Sequence, residues 1–153
     1  MIRCTFAGHR TVYGVTVSDI KLVLERIILE SDSIIECFVG GMGEFDFLCA
    51  SAVRDLKRKY RNREILLILV LPYMRKRINT EKEYYDKAYD LILIPAALEG
   101  VHYKRAIMLR NRWMIDQADY VIAMVQRNNG GAYTSLKYAQ KMGKKIINLA
   151  DKK

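Results

Sequence analysis

The chain has 153 residues, of which 51% are hydrophobic and 28% are charged, which is typical of a globular domain and excludes a disordered chain. Its longest apolar run, residues 65–71, is too short to cross a bilayer, and we expect no signal peptide, because the first residues lack a basic region followed by an apolar one. We therefore expect a cytoplasmic protein without a membrane partner. The net charge of +9 permits a polyanionic partner such as nucleic acid.

Six short runs rich in Ile, Val, Leu and Phe recur along the chain and predict strands. Because these runs are continuously apolar rather than alternating, they favour parallel strands covered on both faces of a sheet. The predicted strands span residues 2–7, 34–39, 65–71, 91–94, 120–125 and 145–149.

Helical periodicity separates the predicted strands. In the first helix the apolar positions of residues 20–28 form one stripe, and Thr16 and Asp19 are spaced as an N-terminal capping box. A second apolar stripe covers residues 45–60, which predicts another helix directly after the second strand.

The remaining segments are less regular. The last helix is predicted over residues 132–142, because its stripe stops at Gly143, which suits the left-handed C′ position. Residues 73–90 are predicted as a loop with one helix at residues 81–88, and residues 96–109 as a short helix or a lid.

Strands that alternate with helices predict right-handed crossovers. The expected fold is therefore α/β, a Rossmann-like, doubly wound and mainly parallel sheet of about six strands with helices on both faces. No repeat, low-complexity tract or linker divides the chain, so we expect residues 1–153 to form a single ligand-binding domain. Cys4, Cys37 and Cys49 are expected as small buried residues rather than a disulfide framework.

In sheets of this kind, ligands bind outside the carboxyl ends of the strands, where loops lead into helix N-termini. The first predicted strand ends in Gly8, His9 and Arg10, where the glycine lets the backbone approach a ligand and the arginine offers donors for phosphate. Glycine-rich turns that open into helices follow two other strands, and their N–H groups attract anions. These glycines are Gly40, Gly41 and Gly43 after the second strand and Gly130 and Gly131 after the fifth.

Further side chains are predicted to complete this phosphate-binding site. Asp46 is expected to face the crevice and to accept hydrogen bonds from ribose hydroxyls, whereas compensation of the helix dipole is sufficient to explain Glu44. Arg110 is predicted near the N-terminus of a helix, where it would hold phosphate, and Thr134 offers a hydroxyl one turn into the last helix. If the site is catalytic, Asp46 and Glu44 are the candidates for the acid/base group.

The positive charge lies mostly outside the first third of the chain. Residues 1–53 carry four Lys/Arg and seven Asp/Glu, so the remaining residues carry a net charge of +12. Most of these cations are predicted at helix C-termini, where the dipole favours them, at the edge opposite the ligand. They are Arg54, Lys57, Arg58, Lys59, Arg61, Arg63, Lys141, Lys144 and Lys145. Only residues 75–77 join Arg10 and Arg110 on the ligand side.

Several kinds of catalytic site are missing from the sequence. The chain contains two histidines, His9 and His102, and no spacing of His, Cys and Asp suits a metal site. It also lacks the Gly-x-Ser-x-Gly motif, the P-loop lysine and a Cys–His pair. We therefore expect no metal and no required cofactor, and a small phosphorylated nucleotide-like molecule as the partner.

Four motifs occur in order along nearly the whole chain. They are Gly8-His9-Arg10, the segment from Gly40 to Leu48, the segment from Arg110 to Asp116, and the Gly130-Gly131 turn followed by Tyr138-Ala139 and Gly143-Lys144. This order resembles the SLOG superfamily of Rossmann-like nucleotide-binding domains, most closely its bacterial YpsA-like branch, although Ala50 lies one position later than a strict match. The resemblance implies a sensor or processor of nucleotide-derived ligands such as ADP-ribose. Because related domains often pair through helices, it also implies a homodimer as a candidate assembly.

The enzymatic relatives in this superfamily, the lonely-guy phosphoribohydrolases, carry a Pro-Gly-Gly-x-Gly-Thr-x-x-Glu motif and a preceding Glu-Arg-Lys. In this chain Lys137 and Leu109 occupy the two acidic positions, and Ala132 interrupts the second glycine pair. A glycosidase of that type needs a carboxylate to assist the departing base or the attacking water. We therefore expect ligand binding to persist and that hydrolysis to be lost.

Three functions remain open. The first is binding, or sensing, of a nucleotide-derived phosphorylated ligand, such as ADP-ribose, an NAD-like molecule or a nucleoside phosphate, at the C-terminal edge of the sheet. The second is hydrolysis of an N-glycosidic or phosphate bond in a nucleotide, with Asp46 or Glu44 as the acid/base. The third is binding of single-stranded nucleic acid through the basic second half, since the DNA-processing protein A family shares the superfamily fold.

Overall fold

The computed structural model describes residues 1–152, which form one sheet of six parallel strands with helices around it. The strands are β1 (Ile2–Gly8), β2 (Ile35–Val39), β3 (Ile65–Val70), β4 (Leu91–Leu93), β5 (Tyr120–Met124) and β6 (Lys145–Asn148). The helices are α1 (Val17–Leu29), α2 (Glu44–Lys59), α3 (Lys76–Thr80), α4 (Lys82–Ala88), α5 (Tyr103–Gln117) and α6 (Gly130–Lys141). Short 3-10 helices cover Ala96–Leu98 and Leu149–Lys152.

The strand order is β4-β3-β2-β1-β5-β6, so the chain winds outward from β1 to β4 and then returns to the other side of β1. This order confirms the predicted Rossmann-like, doubly wound α/β fold. The winding direction reverses between β1 and β5, where the connections leave in opposite directions and open a crevice above the carboxyl ends of the strands.

Helices cover both faces of the sheet because alternate strand residues point to opposite sides. On one face, α1 and α2 pack on strand residues such as Cys4 and Cys37, and Cys49 lies in the same core. On the other face, α5 and α6 pack on residues such as Ala7 and Val121. All three cysteines are buried and free, as expected.

The predicted helix ends are confirmed at two places. Thr16 Oγ1 accepts a hydrogen bond from Asp19 N at 3.3 Å, and Asp19 Oδ2 accepts one from Thr16 N at 2.9 Å, which completes the capping box of α1. Gly143, just after α6, has a φ of 69°, the left-handed conformation that ends a helix at glycine.

The prediction that α5 begins near Arg110 was wrong, because the helix begins at Tyr103. Its start is fixed by His102, whose Nδ1 accepts a hydrogen bond from Lys104 N at 3.3 Å. The buried positions of α5 include Arg110 as well as Ala106, and a cation within the buried stripe hides the apolar period in the sequence.

The segment of residues 73–90 contains two short helices where one was predicted. The helix predicted at residues 81–88 corresponds to α4, and α3 precedes it with Ile78 as its buried residue. Among residues 1–152, no helix combines the length and the hydropathy that crossing a lipid bilayer requires.

Gly8 ends β1 at the point where this strand passes the ring of Phe45 from α2. A Cβ on Gly8 would lie 2.2 Å from Phe45 Cδ2, and Phe45 is fully buried. We expect Gly8→Ala to lower the free energy of unfolding by about 1–3 kcal/mol, because the displaced ring strains a packed core. Urea unfolding followed by circular dichroism measures this loss. Gly131→Ala is the matched control, since its Cβ meets no atom within 4 Å; equal stability of both variants would contradict this packing.

Candidate functional site

A cavity of about 360 Å³ opens at the carboxyl edge of the sheet between β1 and β5, a size in the range of small-molecule sites. We call it the switch-point cavity, because it lies where the winding direction of the sheet reverses. Its lining comes from the end of β1, from the loops after β1, β2 and β5, and from α2, α5 and α6. The lining residues are residues 6–10, Met42, Asp46, Ile107, Arg110, Asn111, Met114, Ile115, Arg127, residues 130–132 and Ser135.

Most of the predicted ligand-binding residues come together in this cavity. Those that line it are Gly8, His9, Arg10, Asp46, Arg110, Gly130 and Gly131. The residues that lie outside its lining are Gly40, Gly41, Gly43 and Thr134, together with the catalytic candidate Glu44. Three loops that are far apart in sequence therefore meet at one edge of the sheet.

Gly40 and Gly43 lie outside the cavity lining, but each packs closely against an arginine that lines the cavity. A Cβ on Gly40 would lie 2.9 Å from Arg110 Cζ, and a Cβ on Gly43 would lie 2.9 Å from Arg10 Cα. Gly43 also has a φ of 92°, which favours glycine. The same turn contacts the end of β1 through Glu44 N, which donates a hydrogen bond of 2.8 Å to Arg10 O.

Arg110 is buried, with 2% of its surface exposed. Its Nη1 donates to Gly40 O at 3.0 Å and to Val70 O at 2.9 Å, and its Nε donates to Asn111 Oδ1 at 2.8 Å. Among the described residues, Nη2 contacts only Met42 Sδ, a weak acceptor. Burial lowers the pKa of Arg110 to about 10, so the guanidinium stays charged at neutral pH. The guanidinium thus holds backbone carbonyls and leaves one nitrogen for a ligand.

Asp46 lies in the first turn of α2, where its Oδ2 accepts a hydrogen bond from Met42 N at 3.1 Å. Burial raises its pKa to about 6, although the Met42 N–H and the Arg110 charge act in the opposite direction. The carboxylate is therefore mostly ionised at pH 7 and becomes protonated in mild acid. One of its oxygens supports the turn after β2.

Polar groups without partners surround this cavity. The side chains of Arg10 and Arg127 form no hydrogen bond or ion pair with any residue in the described part of the chain. His9 is 6% exposed, and its buried Nε2 has no hydrogen-bond partner within residues 1–152. Burial and the Arg127 charge lower the pKa of His9, so its imidazole is neutral at pH 7.

The N-terminus of α6 faces the same cavity. The helix begins at Gly130, and Asn129 before it provides no side-chain cap. The first N–H groups of a helix have no partner within it and attract anions. Thr134, which lies outside the cavity lining, donates from its Oγ1 to Gly130 O at 3.1 Å.

Sequence reasoning missed Asn111, Arg127 and Ser135 as lining residues. Arg127 follows β5 closely, so a cation at the carboxyl end of a central strand was a signal that could have identified it. Asn111 belongs to the motif that contains Arg110 but carried no separate signal. Within residues 1–152, no three His, Cys, Asp or Glu side chains are arranged to hold a metal ion.

The cations at the end of α2 lie at the opposite edge and are largely engaged in internal contacts. Arg63 donates to Ile28 O and Ser31 O, each at 2.6 Å. Arg54 Nε donates to Ala88 O at 3.0 Å, and Lys57 is bound to Asp90. These residues therefore connect α2 and the loop after it to neighbouring segments.

No family model and no curated protein matches this chain. Solved structures of DNA processing protein A are similar to it. The structure from Helicobacter pylori has 19% identity and a TM-score of 0.65 and covers 95% of this chain and 63% of its own, and that protein binds single-stranded DNA. The structure from Streptococcus pneumoniae has 13% identity and a TM-score of 0.69 over 95% of this chain and 49% of its own. The chain thus shares their Rossmann-like fold and spans less than two thirds of their length.

The raised pKa of Asp46 predicts a specific dependence of stability on pH. The folded protein holds this proton more tightly than the unfolded chain, in which the pKa is 3.8, so stability falls as pH rises from about 4 to about 6. Asp46→Asn should remove this dependence and raise the free energy of unfolding at pH 7 by up to about 3 kcal/mol. Urea unfolding between pH 4 and pH 8 measures both effects.

Asp86→Asn is the control for the loss of one negative charge, since Asp86 is exposed on α4. This control should retain the pH dependence of the unmodified protein. If Asp46→Asn is instead less stable at pH 7, the ionised carboxylate stabilises the turn. Our inference that burial of this ionised carboxylate destabilises the fold would then be wrong.

Proposed function

We propose that the protein binds a nucleotide-type phosphorylated ligand in the switch-point cavity, as a single SLOG-type domain that comprises residues 1–153. The candidates are ADP-ribose, an NAD-like molecule or a nucleoside phosphate. The observation that carries this proposal is the buried, unpartnered Nε2 of His9, which lies in a cavity with two unpaired arginines and the start of α6.

A phosphate group matches the donors of this cavity. Arg10 and Arg127 would supply charge-assisted hydrogen bonds, and the first N–H groups of α6 would supply neutral ones. His9, which is neutral in the free protein, would donate from its imidazole to a phosphate oxygen. Several such bonds in a preformed cavity are consistent with about micromolar affinity, near −8 kcal/mol.

Asp46 suits a ribose rather than a phosphate. Its Oδ2 is bound to Met42 N, which leaves Oδ1 to accept a hydrogen bond from a ribose hydroxyl. Asn111, which accepts from Arg110, also lines the cavity and offers an amide N–H₂ donor. The cavity therefore combines anion donors with groups suited to a sugar.

Binding fits this arrangement better than hydrolysis. Asp46 is the only carboxylate among the described residues that line the cavity, and Glu44 is exposed outside it. Lys137, at the position of the lonely-guy glutamate, has its ammonium 5.5 Å from the ring centroid of Tyr133. A paired acid and base for N-glycosidic cleavage is therefore missing from this cavity.

Gly131→Ala tests the proposed site with little risk to the fold. The added Cβ meets no atom of the described protein, but Gly131 lines the cavity, so the methyl group would obstruct a bound ligand. We expect isothermal titration with ADP-ribose, NAD, AMP and cyclic dinucleotides to give at least one ligand of about micromolar affinity. Gly131→Ala should weaken that affinity by about tenfold or more, with unchanged stability. Failure of a folded protein to bind any of these ligands would contradict the proposal.

Single-stranded DNA is a second candidate ligand for the same edge. Two observations favour it, namely the fold shared with the Helicobacter pylori protein that binds single-stranded DNA and the unpaired cations Arg10 and Arg127. The basic residues at the end of α2 support it less, because most of them already contact backbone carbonyls or carboxylates.

Fluorescence anisotropy with a labelled thymidine oligonucleotide tests this candidate. If DNA binds at the carboxyl edge, affinity should fall steeply between about 50 and 200 mM salt, and Arg10→Ala should weaken it and reduce the salt slope by about one. Arg61→Ala is the matched control at the opposite edge, where Arg61 has no hydrogen bond or ion pair within the described part of the chain. Binding that depends on Arg61 and not on Arg10 would contradict the assignment to the carboxyl edge.

A further inference from the structure

A second and larger cavity lies beside the switch-point cavity. Its volume is about 790 Å³, also within the range of small-molecule sites. Gly41 lines it from the turn after β2, and the next residue, Met42, lines the switch-point cavity, so one turn separates the two spaces. We call it the aromatic cavity after Phe47, Tyr84 and Tyr85 in its lining.

Two of its aromatic side chains leave most of their surface exposed. Phe47 on α2 is 54% exposed, and Tyr84 on α4 is 56% exposed. Tyr84 meets the Tyr85 ring edge-on, with ring centroids 5.1 Å apart. Tyr85 and Tyr89 stack on each other with ring centroids 6.2 Å apart, and Arg54 Cζ lies 5.2 Å from the Tyr89 ring centroid. The inner rings therefore support the wall of the cavity, and the outer two have free surface for contact with a planar group.

Arg75 adds a cation to this cavity. Its side chain is half-buried and forms no hydrogen bond or ion pair within residues 1–152, whereas Arg77 is bound to Glu81 at 3.1 Å. Arg75 lies close enough to Arg110 for its charge to lower the pKa of that guanidinium. An anion bound between the two cavities would offset this repulsion.

We propose, on the basis of the function proposed above, that the aromatic cavity accepts the second base of a ligand whose phosphate lies in the switch-point cavity. The base stacks on Phe47 and Tyr84, and Arg75 faces the charge that joins the two halves of the ligand. Stacking of this kind accepts any base, because every base has a π-face. The ligand is therefore of dinucleotide type, either a free dinucleotide or two successive nucleotides of a single strand.

Isothermal titration with four probes tests this inference. AMP and dTMP carry one base, whereas NAD and the 5′-phosphorylated thymidine dinucleotide pTpT carry two. We expect NAD to bind at least about fivefold more tightly than AMP, or pTpT at least about fivefold more tightly than dTMP. Phe47→Ala and Tyr84→Ala should each remove this gain. Phe47→Tyr and Tyr84→Phe should preserve it, as should Leu22→Ala, which removes an exposed apolar side chain of α1 outside both cavities.

The probes also distinguish the two sources of a second base. A gain with NAD alone identifies a free dinucleotide, and a gain with pTpT alone identifies single-stranded DNA; both results support the inference. Equal affinities for one-base and two-base probes would overturn it. The inference would also be overturned if the two-base probes still bound more tightly than the one-base probes in both alanine variants.

Proton NMR of His9 reports separately on the switch-point cavity, with His102 as the internal reference. A bound phosphate should raise the pKa of His9, which burial and Arg127 lower in the free protein. If AMP or dTMP raises it but a second base adds no affinity, this inference is wrong and the proposed function stands. If none of the four probes changes the His9 titration, both are wrong.

Discussion

The contact on which the rest of the site depends is the buried guanidinium of Arg110 between two strand ends. It extends from α5 to the carbonyls of Gly40 and Val70, so one cation fixes the carboxyl ends of β2 and β3. A guanidinium suits this position because its donors form a rigid planar fork, which the single ammonium of a lysine cannot replace. Its charge is desolvated, and the carboxylate of Asp46 nearby offsets part of that cost.

The sequence was sufficient to predict where the strands lie and where the glycine-rich turns follow them. The strand β3 is a continuous apolar run and the other strands are rich in apolar residues, as expected for a sheet covered on both faces, so their positions follow from the local sequence. The convergence of the turns after β1 and β5 follows from the topology of a doubly wound sheet. The start of α5 could not be found in this way, because its buried stripe includes the cation Arg110.

The contacts of individual polar side chains could not be predicted, because they depend on atoms far apart in sequence. Sequence reasoning assigned Arg110 to phosphate and could not show that two of its nitrogens are bound to Gly40, Val70 and Asn111, which leaves Nη2 for a ligand. The basic run at the end of α2 likewise suggested a surface for polyanions, but most of its cations are already bound to carbonyls and carboxylates. Net charge describes the chain as a whole, and only the fold shows which cations remain unpaired.

The hydrogen bond from Glu44 N to Arg10 O connects the two cavities mechanically. Glu44 is the first residue of α2, and Phe47 lies one turn further along the same helix. A ligand that draws the Arg10 loop inward would pull on the end of α2 and so move the wall that carries Phe47. The packing of Gly8 on Phe45 and of Gly43 on Arg10 joins the same two segments, so the end of β1 and the start of α2 would move together.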